Sequence, residues 1–348
     1  MLYTLDMIKE ANKERPSTIE EKEIINFSED YSFFCEVLEG LTIENILFNK
    51  MIYENNNEEI VEEGTISKFI WNKLKSVDIK KILLKILEGF GKLLKSLWDH
   101  FKAFMIQFSS KNSTFKKYDK ELSNYDKDLI YQDKRCIFTN LDGFTSYNSF
   151  RSEIRDARDS LLRDGEEILS AKDPNKLAQI LNNMKQERNN LVIDADMIRG
   201  NALGLGSPIS KDDFGKYLYN HFRGEIIDGG TMTGMQVQDA YRSWKNIDKD
   251  VDLVKQDMTK LRNDCSKEEQ AIKGMRLEDR FKGEITEEAA SEFMRLVTYS
   301  VQYTKETCQT FLQILGSKMD AIKERGIQNT AICTAAVREI VRTGGAES

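Results

Sequence analysis

A long series of apolar positions in the C-terminal half constrains the fold of this 348-residue chain most strongly. Between Val237 and Met275, apolar or small side chains recur in alternating steps of three and four residues, the spacing of a coiled-coil-like helical seam. Glu268 interrupts this seam with an acidic side chain. We expect the seam to mediate assembly, and its candidate contact residues are Val237, Tyr241, Trp244, Val251, Met258 and Leu261.

A second apolar stripe follows Thr286, which is typical of the residue that precedes a helix. Its members are Phe293, Leu296, Val297, Tyr303, Phe311, Ile314, Leu315, Met319 and Ile322. Because only a short turn around "RFKGEIT" separates the two stripes, we expect their helices to form a long antiparallel hairpin. A separate last helix is predicted near residues 328–342.

The rest of the chain also favours helix. Only three prolines occur (Pro16, Pro174 and Pro208), so long stretches lack a strong helix breaker. We therefore predict a mostly α fold: a helical bundle with the hairpin in its C-terminal half and an extended amphipathic helix in its N-terminal half.

Charge is distributed unevenly along the chain. Residues 1–63 contain 5 basic and 16 acidic side chains, whereas residues 64–135 contain 16 basic and 8 acidic ones. The net charge of −7 argues against a protein whose whole surface binds nucleic acid. The pattern predicts an acidic helical segment at 1–63, a basic amphipathic helix within 64–108, a polar linker or weakly packed helix at 109–135 and a helical domain at 136–348.

The basic region contains one amphipathic helix, predicted from about Ile79 to Phe108 with Asp78 as its N-cap. Its candidate membrane or partner contacts on the apolar side are Leu83, Leu87, Phe90, Leu94, Leu97, Trp98, Phe101 and Phe104, and on the lysine side Lys85, Lys92, Lys95 and Lys102. This profile is typical of a helix that lies in a membrane interface. A helix packed on a protein core needs the same apolar stripe. The acidic residues 1–63 are a further candidate to cover the lysines.

Shorter signals predict the connections. The segment 136–147 has a strand pattern with a turn at Asp142-Gly143. Helices are predicted at 148–171 and, after Asp173-Pro174, to about Arg199. Glycine-rich loops are expected at 200–210 and 224–234, separated by a short helix that starts at Ser210 with Asp213.

Residue patterns that would indicate catalysis or metal binding do not occur. The five cysteines are widely spaced without a C-x-x-C pair, and the only histidines, His100 and His221, lack a ligand motif. Asp194 and Asp196 lie two residues apart and point to different faces of a helix. The sequence therefore predicts a non-enzymatic protein with reduced thiols and without a metal or cofactor. Neither a secretory signal nor a membrane-spanning segment is expected.

One region resembles a known family. The stretch 209–264 is similar to virion structural proteins of tailed bacteriophages that infect Gram-positive bacteria, including internal head proteins. The matching positions are Phe214, Tyr217, Leu218, Phe222, Arg223, Gly224, Val237, Ala240, Tyr241 and Trp244. The tract "LLKSLWDHFKAF" at 93–104 also resembles a lysine-rich helix of such proteins.

The resemblance implies a virion component, either internal or at a head or tail junction, that is delivered with the genome if it is internal. Its expected partners are other virion proteins and further copies of itself, with membrane surface and nonspecific DNA contact as additional candidates. Its expected location is the virion and, during assembly, the host cytoplasm. The alternative hypothesis is a membrane-active effector or pore-forming protein that acts through residues 79–108.

Overall fold

The computed structural model describes residues 79–106, 113–131, 136–137, 147–187, 191–223, 226–227, 230–275 and 286–344. Within these ranges the chain is predominantly helical, which confirms the predicted fold class. The helices are α1 (Ile79–Ile106), α2 (Ser113–Lys117), α3 (Asp119–Ser123), α4 (Asn148–Ser170), α5 (Pro174–Glu187), α6 (Leu191–Ala202), α7 (Lys211–Phe222), α8 (Gly234–Lys245), α9 (Ile247–Lys273) and α10 (Glu287–Gly344). The strands are β1 (Leu129–Tyr131), β2 (Cys136–Ile137), β3 (Ile226–Ile227) and β4 (Gly230–Met232).

Helix α10 is the central element of the fold. It contains 58 residues and is about 87 Å long at 1.5 Å per residue. The sequence-based prediction of a separate last helix at 328–342 was wrong, because α10 continues through Gly316 and Gly326 without a break. An interior glycine costs a helix only about 1 kcal/mol relative to alanine, and burial of the flanking apolar side chains offsets that cost.

Helices α9 and α10 form the predicted antiparallel hairpin. Asp257 is paired with Lys318 at 2.6 Å, and Asp250 is paired with Arg325, so numbers rise along one helix as they fall along the other. The predicted seam helix divides at Asn246 into α8 and α9. The turn at 276–285 lies outside the described residues.

The main hydrophobic core lies where α1, α4 and α9 pack along α10. Phe150 of α4 stacks on Phe90 of α1, with ring centroids 4.9 Å apart, and meets Phe311 of α10 edge-on at 5.2 Å. Near the start of α10, the Phe293 ring lies against Gly165 of α4, where a Cβ atom would come within 2.7 Å of it. These contacts join helices that are far apart in the sequence into one bundle.

A second core surrounds the C-terminal part of α10, and it includes residues of the segment 109–135, for which the sequence predicts a polar linker or a weakly packed helix. Phe115, Leu122, Tyr125 and Leu129 are buried there. The Phe115 ring meets the Trp244 indole edge-on at 4.9 Å. These apolar positions are spaced three to seven residues apart among lysines and aspartates, so the polar composition of the segment concealed them.

Two short antiparallel ribbons connect distant parts of the chain. Leu129 of β1 pairs with Met232 of β4, and Cys136 of β2 pairs with Ile227 of β3. The predicted glycine loop at 224–234 therefore contains two strands. The sequence did not indicate them, because their partners β1 and β2 come close only in the folded chain. The Asp142-Gly143 turn lies outside the described residues.

Helix starts agree well with the sequence. The Ser210 hydroxyl accepts a hydrogen bond from the Asp213 backbone N–H, and Thr286 accepts one from the Ala289 N–H, at 3.2 Å each. Helix α4 occupies 148–170, close to the predicted 148–171. The helix predicted from Pro174 to about Arg199 is helical over α5 and α6, and residues 188–190 between them lie outside the described ranges.

Candidate functional site

Helix α1 has two distinct faces, and its apolar face lies inside the protein. Leu83, Leu87, Phe90, Leu94 and Phe101 are at most 2% exposed. Leu97, Trp98 and Phe104 are half-buried and pack against the same core. The contacts that cover this face come from α4, α9 and α10 of the same chain.

Membrane contact through this face requires separation of α1 from the bundle. Full burial of one large apolar side chain stabilises a fold by about 1.5–3 kcal/mol, so exposing five would cost on the order of 10 kcal/mol. That is comparable to the whole stability of an ordinary domain. Among the described residues, no helix is long and apolar enough to cross a membrane. The membrane-active hypothesis therefore needs a trigger that opens the main core.

The opposite face of α1 carries a row of exposed lysines, here called the lysine ridge. Its members are Lys81, Lys85, Lys92, Lys95 and Lys102. Lys92 is 2.9 Å from Glu88, and both side chains are well exposed, so this pair contributes little to stability. Hydrogen bonding from Lys92 lowers the pKa of Glu88. Within the described part of the chain, Lys85, Lys95 and Lys102 have no acidic partner.

The predicted assembly seam is closed within one chain. Val237, Tyr241 and Trp244 are buried in the second core, and Met258 and Leu261 are buried in the main core. Val251 is half-buried against the main core. While the hairpin is closed, contacts between copies must use other faces, because α10 and the elements around it already cover these side chains.

The acidic interruption of the seam has a structural explanation. Glu268 is completely buried, and its two carboxylate oxygens accept hydrogen bonds from Arg151 Nε at 3.0 Å and Arg158 Nη1 at 2.5 Å. Both arginines belong to α4. A buried carboxylate without such donors would be very unfavourable, so the seam position attaches α9 to α4 through charge rather than through apolar contact.

The remaining candidate residues have ordinary structural contacts. His100 Nδ1 lies 2.7 Å from the Ser96 carbonyl oxygen, and the half-buried His221 ring stacks on Tyr217, with burial lowering the pKa of His221. Asp194 accepts a hydrogen bond from the Tyr299 hydroxyl at 2.9 Å, and Asp196 pairs with Arg199.

The described ranges contain no site arranged for metal binding or thiol chemistry. No group of three or more His, Cys, Asp or Glu side chains there is placed to hold a metal ion. Cys265, Cys308 and Cys333 are buried and form no disulfide bond within the described ranges. Burial raises the pKa of the Cys265 and Cys308 thiols, so neither is prepared to act as a thiolate.

The residues that carry the phage resemblance form a packing junction on α10. Phe214, Leu218 and Phe222 of α7 are completely buried. Arg223, at the end of α7, stacks on Tyr219 and donates from Nε to the Glu324 carboxylate at 2.7 Å. Gly224 lies outside the described residues. The sequence did not indicate that Arg223 and Glu324, 101 residues apart, would meet.

Comparison of the chain with protein-family models, with curated proteins and with solved structures finds no match. The features that bear on its function are therefore the geometry of the chain and the residue pattern in 209–264. In the described residues, that geometry consists of a long central helix, two internal cores and an exposed lysine ridge.

Proposed function

We propose that this chain is a non-enzymatic structural protein of a tailed-bacteriophage virion. It is internal or placed at a head or tail junction, is present in multiple copies, and assembles with other virion proteins by helical packing. An internal position would have it delivered with the genome. In this proposal the protein resides in the host cytoplasm only during assembly.

The observation that carries this proposal is the continuous α10 helix. Its length of about 87 Å exceeds the diameter of about 50 Å expected for a compact globule of 348 residues. Helices α1, α4, α6, α7, α8 and α9 all pack on α10. A rod-like element of this length suits a component that spans or spaces parts of an assembly.

The residue pattern of 209–264 supports the same proposal. Its apolar members Phe214, Leu218, Phe222, Tyr241 and Trp244 are all buried. They are therefore residues on which the packing of α7 and α8 onto α10 depends. A pattern made of packing residues is expected of a structural protein, whose function is its shape.

The experiment that tests the proposal is mass spectrometry of particles purified from the phage that encodes the chain. We expect to find the polypeptide in the particles. Its copy number should be a fixed integer multiple of the symmetry order of the part of the particle that contains it. Particles disrupted to separate heads from tails locate it. Consistent absence of the polypeptide from purified infectious particles would refute the proposal.

A further inference from the structure

The lysine ridge is an extended cationic surface along one helix. Lys81 and Lys102 are separated by 21 residues of a continuous helix, which places them about 32 Å apart along the axis. Three of its members, Lys85, Lys95 and Lys102, have no acidic partner among the described residues. Three of the five ridge lysines are therefore without a compensating ion pair among the described residues.

Among the described residues, no acidic side chain of a neighbouring helix forms an ion pair with Lys85, Lys95 or Lys102. Apart from Glu88, the ridge side of α1 contains one further acid, the exposed Asp99. Lys273 of α9 lies close enough to Glu88 to contribute to its lowered pKa. Lys323 of α10 lies 5.9 Å from the centre of the Phe104 ring, at the other end of α1. Lys273 adds positive charge beside the ridge, whereas Lys323 is paired with Asp320 at 3.2 Å.

The same chain contains a strongly acidic segment immediately before this helix. Residues 1–63 carry 16 acidic and only 5 basic side chains. Residues 64–78 connect them to the start of α1, and a tether of about 15 residues reaches up to about 50 Å. That reach exceeds the length of the ridge. Covalent attachment keeps the acidic segment within this reach of the ridge.

We propose that the lysine ridge is the docking surface for the acidic segment 1–63 of the same chain. Two features favour this occupant: its charge is complementary to that of the ridge, and it is covalently connected to α1. A nucleic acid would have to compete with an acidic segment that is always present, and a membrane would meet a helix whose apolar side is buried in the core. This inference does not depend on the virion proposal, since either could fail alone.

Zero-length carbodiimide cross-linking of the full-length chain tests the proposal, because it joins only lysine and carboxylate side chains in direct contact. Equal amounts of ¹⁴N- and ¹⁵N-labelled protein are mixed before reaction at low ionic strength. We expect cross-links from Lys85, Lys95 and Lys102 to acids within 1–63, found only in unmixed isotopic pairs. High salt should abolish them.

Exposed lysines elsewhere in the fold provide the matched control. Three such lysines are exposed and have no ion-pair partner in the described ranges: Lys211 of α7, and Lys249 and Lys255 of α9. The variant Lys85→Gln, Lys95→Gln, Lys102→Gln should increase proteolytic cleavage within 1–63 by about tenfold. The variant Lys211→Gln, Lys249→Gln, Lys255→Gln has the same charge change and should leave the cleavage rate unaltered.

Three outcomes would overturn the proposal. Ridge cross-links found only in mixed isotopic pairs would identify the occupant as a second copy. Equal cross-linking of the ridge and control lysines to 1–63 would show that the contact is not specific. Absence of ridge cross-links, together with loss of double-stranded DNA binding in the ridge variant alone, would identify nucleic acid as the occupant.

Discussion

Glu268 of α9 and Arg151 of α4 form an ion pair at 3.0 Å, although the Glu268 side chain is only 1% exposed. Arg158, about two turns further along the same face of α4, completes the cluster at 2.5 Å. Arg151 is 47% exposed and Arg158 is 14% exposed, so the cluster has a buried anion and partly solvated cations. Because of this asymmetry, the stability of the fold should depend most on Glu268 among the three residues.

Replacing Glu268 with Ala should lower the free energy of unfolding by about 3 kcal/mol, because the variant removes the carboxylate that joins Arg151 and Arg158 to α9 and creates a cavity, although Arg158 keeps its pair with Asp159. Urea denaturation followed by circular dichroism measures the change. The control is Asp252→Asn on the exposed side of α9, which should stay within about 0.5 kcal/mol of the parent. Equal effects of the two substitutions would contradict the buried cluster.

Adjacent positions of α1 should respond very differently to truncation. Leu94 is completely buried and Lys95 is exposed. Leu94→Ala should therefore cost about 2–5 kcal/mol, and Lys95→Ala less than about 0.5 kcal/mol. Equilibrium urea unfolding of both variants provides the comparison.

The same pair of variants bears on the membrane-active hypothesis. With α1 packed in the main core, the full chain should not co-sediment with anionic vesicles. If the parent does bind vesicles, and Leu94→Ala binds more strongly because α1 separates more easily, then the membrane-active hypothesis would gain support.

Two glycines should give opposite results when changed to alanine. A Cβ atom at Gly200 would lie 1.8 Å from the Ser207 carbonyl oxygen, whereas one at Gly91 meets nothing within 4 Å. Gly200→Ala should therefore destabilise the fold by about 1–3 kcal/mol, since the loop after α6 must move away. Gly91→Ala should stabilise it by about 0.5–1 kcal/mol through helix propensity. Thermal unfolding of both variants measures the two signs, and a shift of the same sign in both would contradict the close approach at Gly200.

Stability should decrease in alkaline solution because of the buried thiols. Burial raises the pKa of Cys265 and Cys308 above that of the unfolded chain. The contribution of these thiols to the free energy of unfolding is complete below about pH 8.5, the pKa of a thiol in the unfolded chain. It is lost as the pH rises towards the higher pKa of the folded protein. Above pH 8.5 the free energy of unfolding should fall by up to about 1.4 kcal/mol per pH unit for each thiol.

Urea denaturation under reducing conditions between pH 7 and 9.5 measures this slope. The Cys265→Ala and Cys308→Ala variants should each show a shallower decline, although both begin from a lower stability. An unchanged slope in both variants would mean that other groups cause the alkaline loss.

Local signals in the sequence predicted the helices well and their environment poorly. Thr286 and Ser210 start helices where their side chains cap the first turn, and these bonds involve residues only three positions apart. The predicted linker, in contrast, contains Phe115, which is buried against Trp244, 129 residues away along the chain. No local pattern contains that partner.

The candidate site shows the same division. The two faces of α1 follow from the spacing of Leu94 and Lys95 with their neighbours, because side chains three or four residues apart share a helix face. That the apolar face contacts α9 and α10 rather than a bilayer was left open by the sequence. The Glu268 cluster was also unforeseen, since its arginines are more than 100 residues away.

The sequence by itself determined the helical class, most helix starts and the antiparallel hairpin, because these depend on hydrogen bonds and side-chain spacing within one or two helical turns. Only the tertiary structure decided that α10 is continuous, that β3 and β4 form from a glycine-rich loop, and that the seam from Val237 to Leu261 is closed within one chain. These outcomes depend on contacts between distant segments. Burial against such partners outweighs local preferences of about 1 kcal/mol per residue.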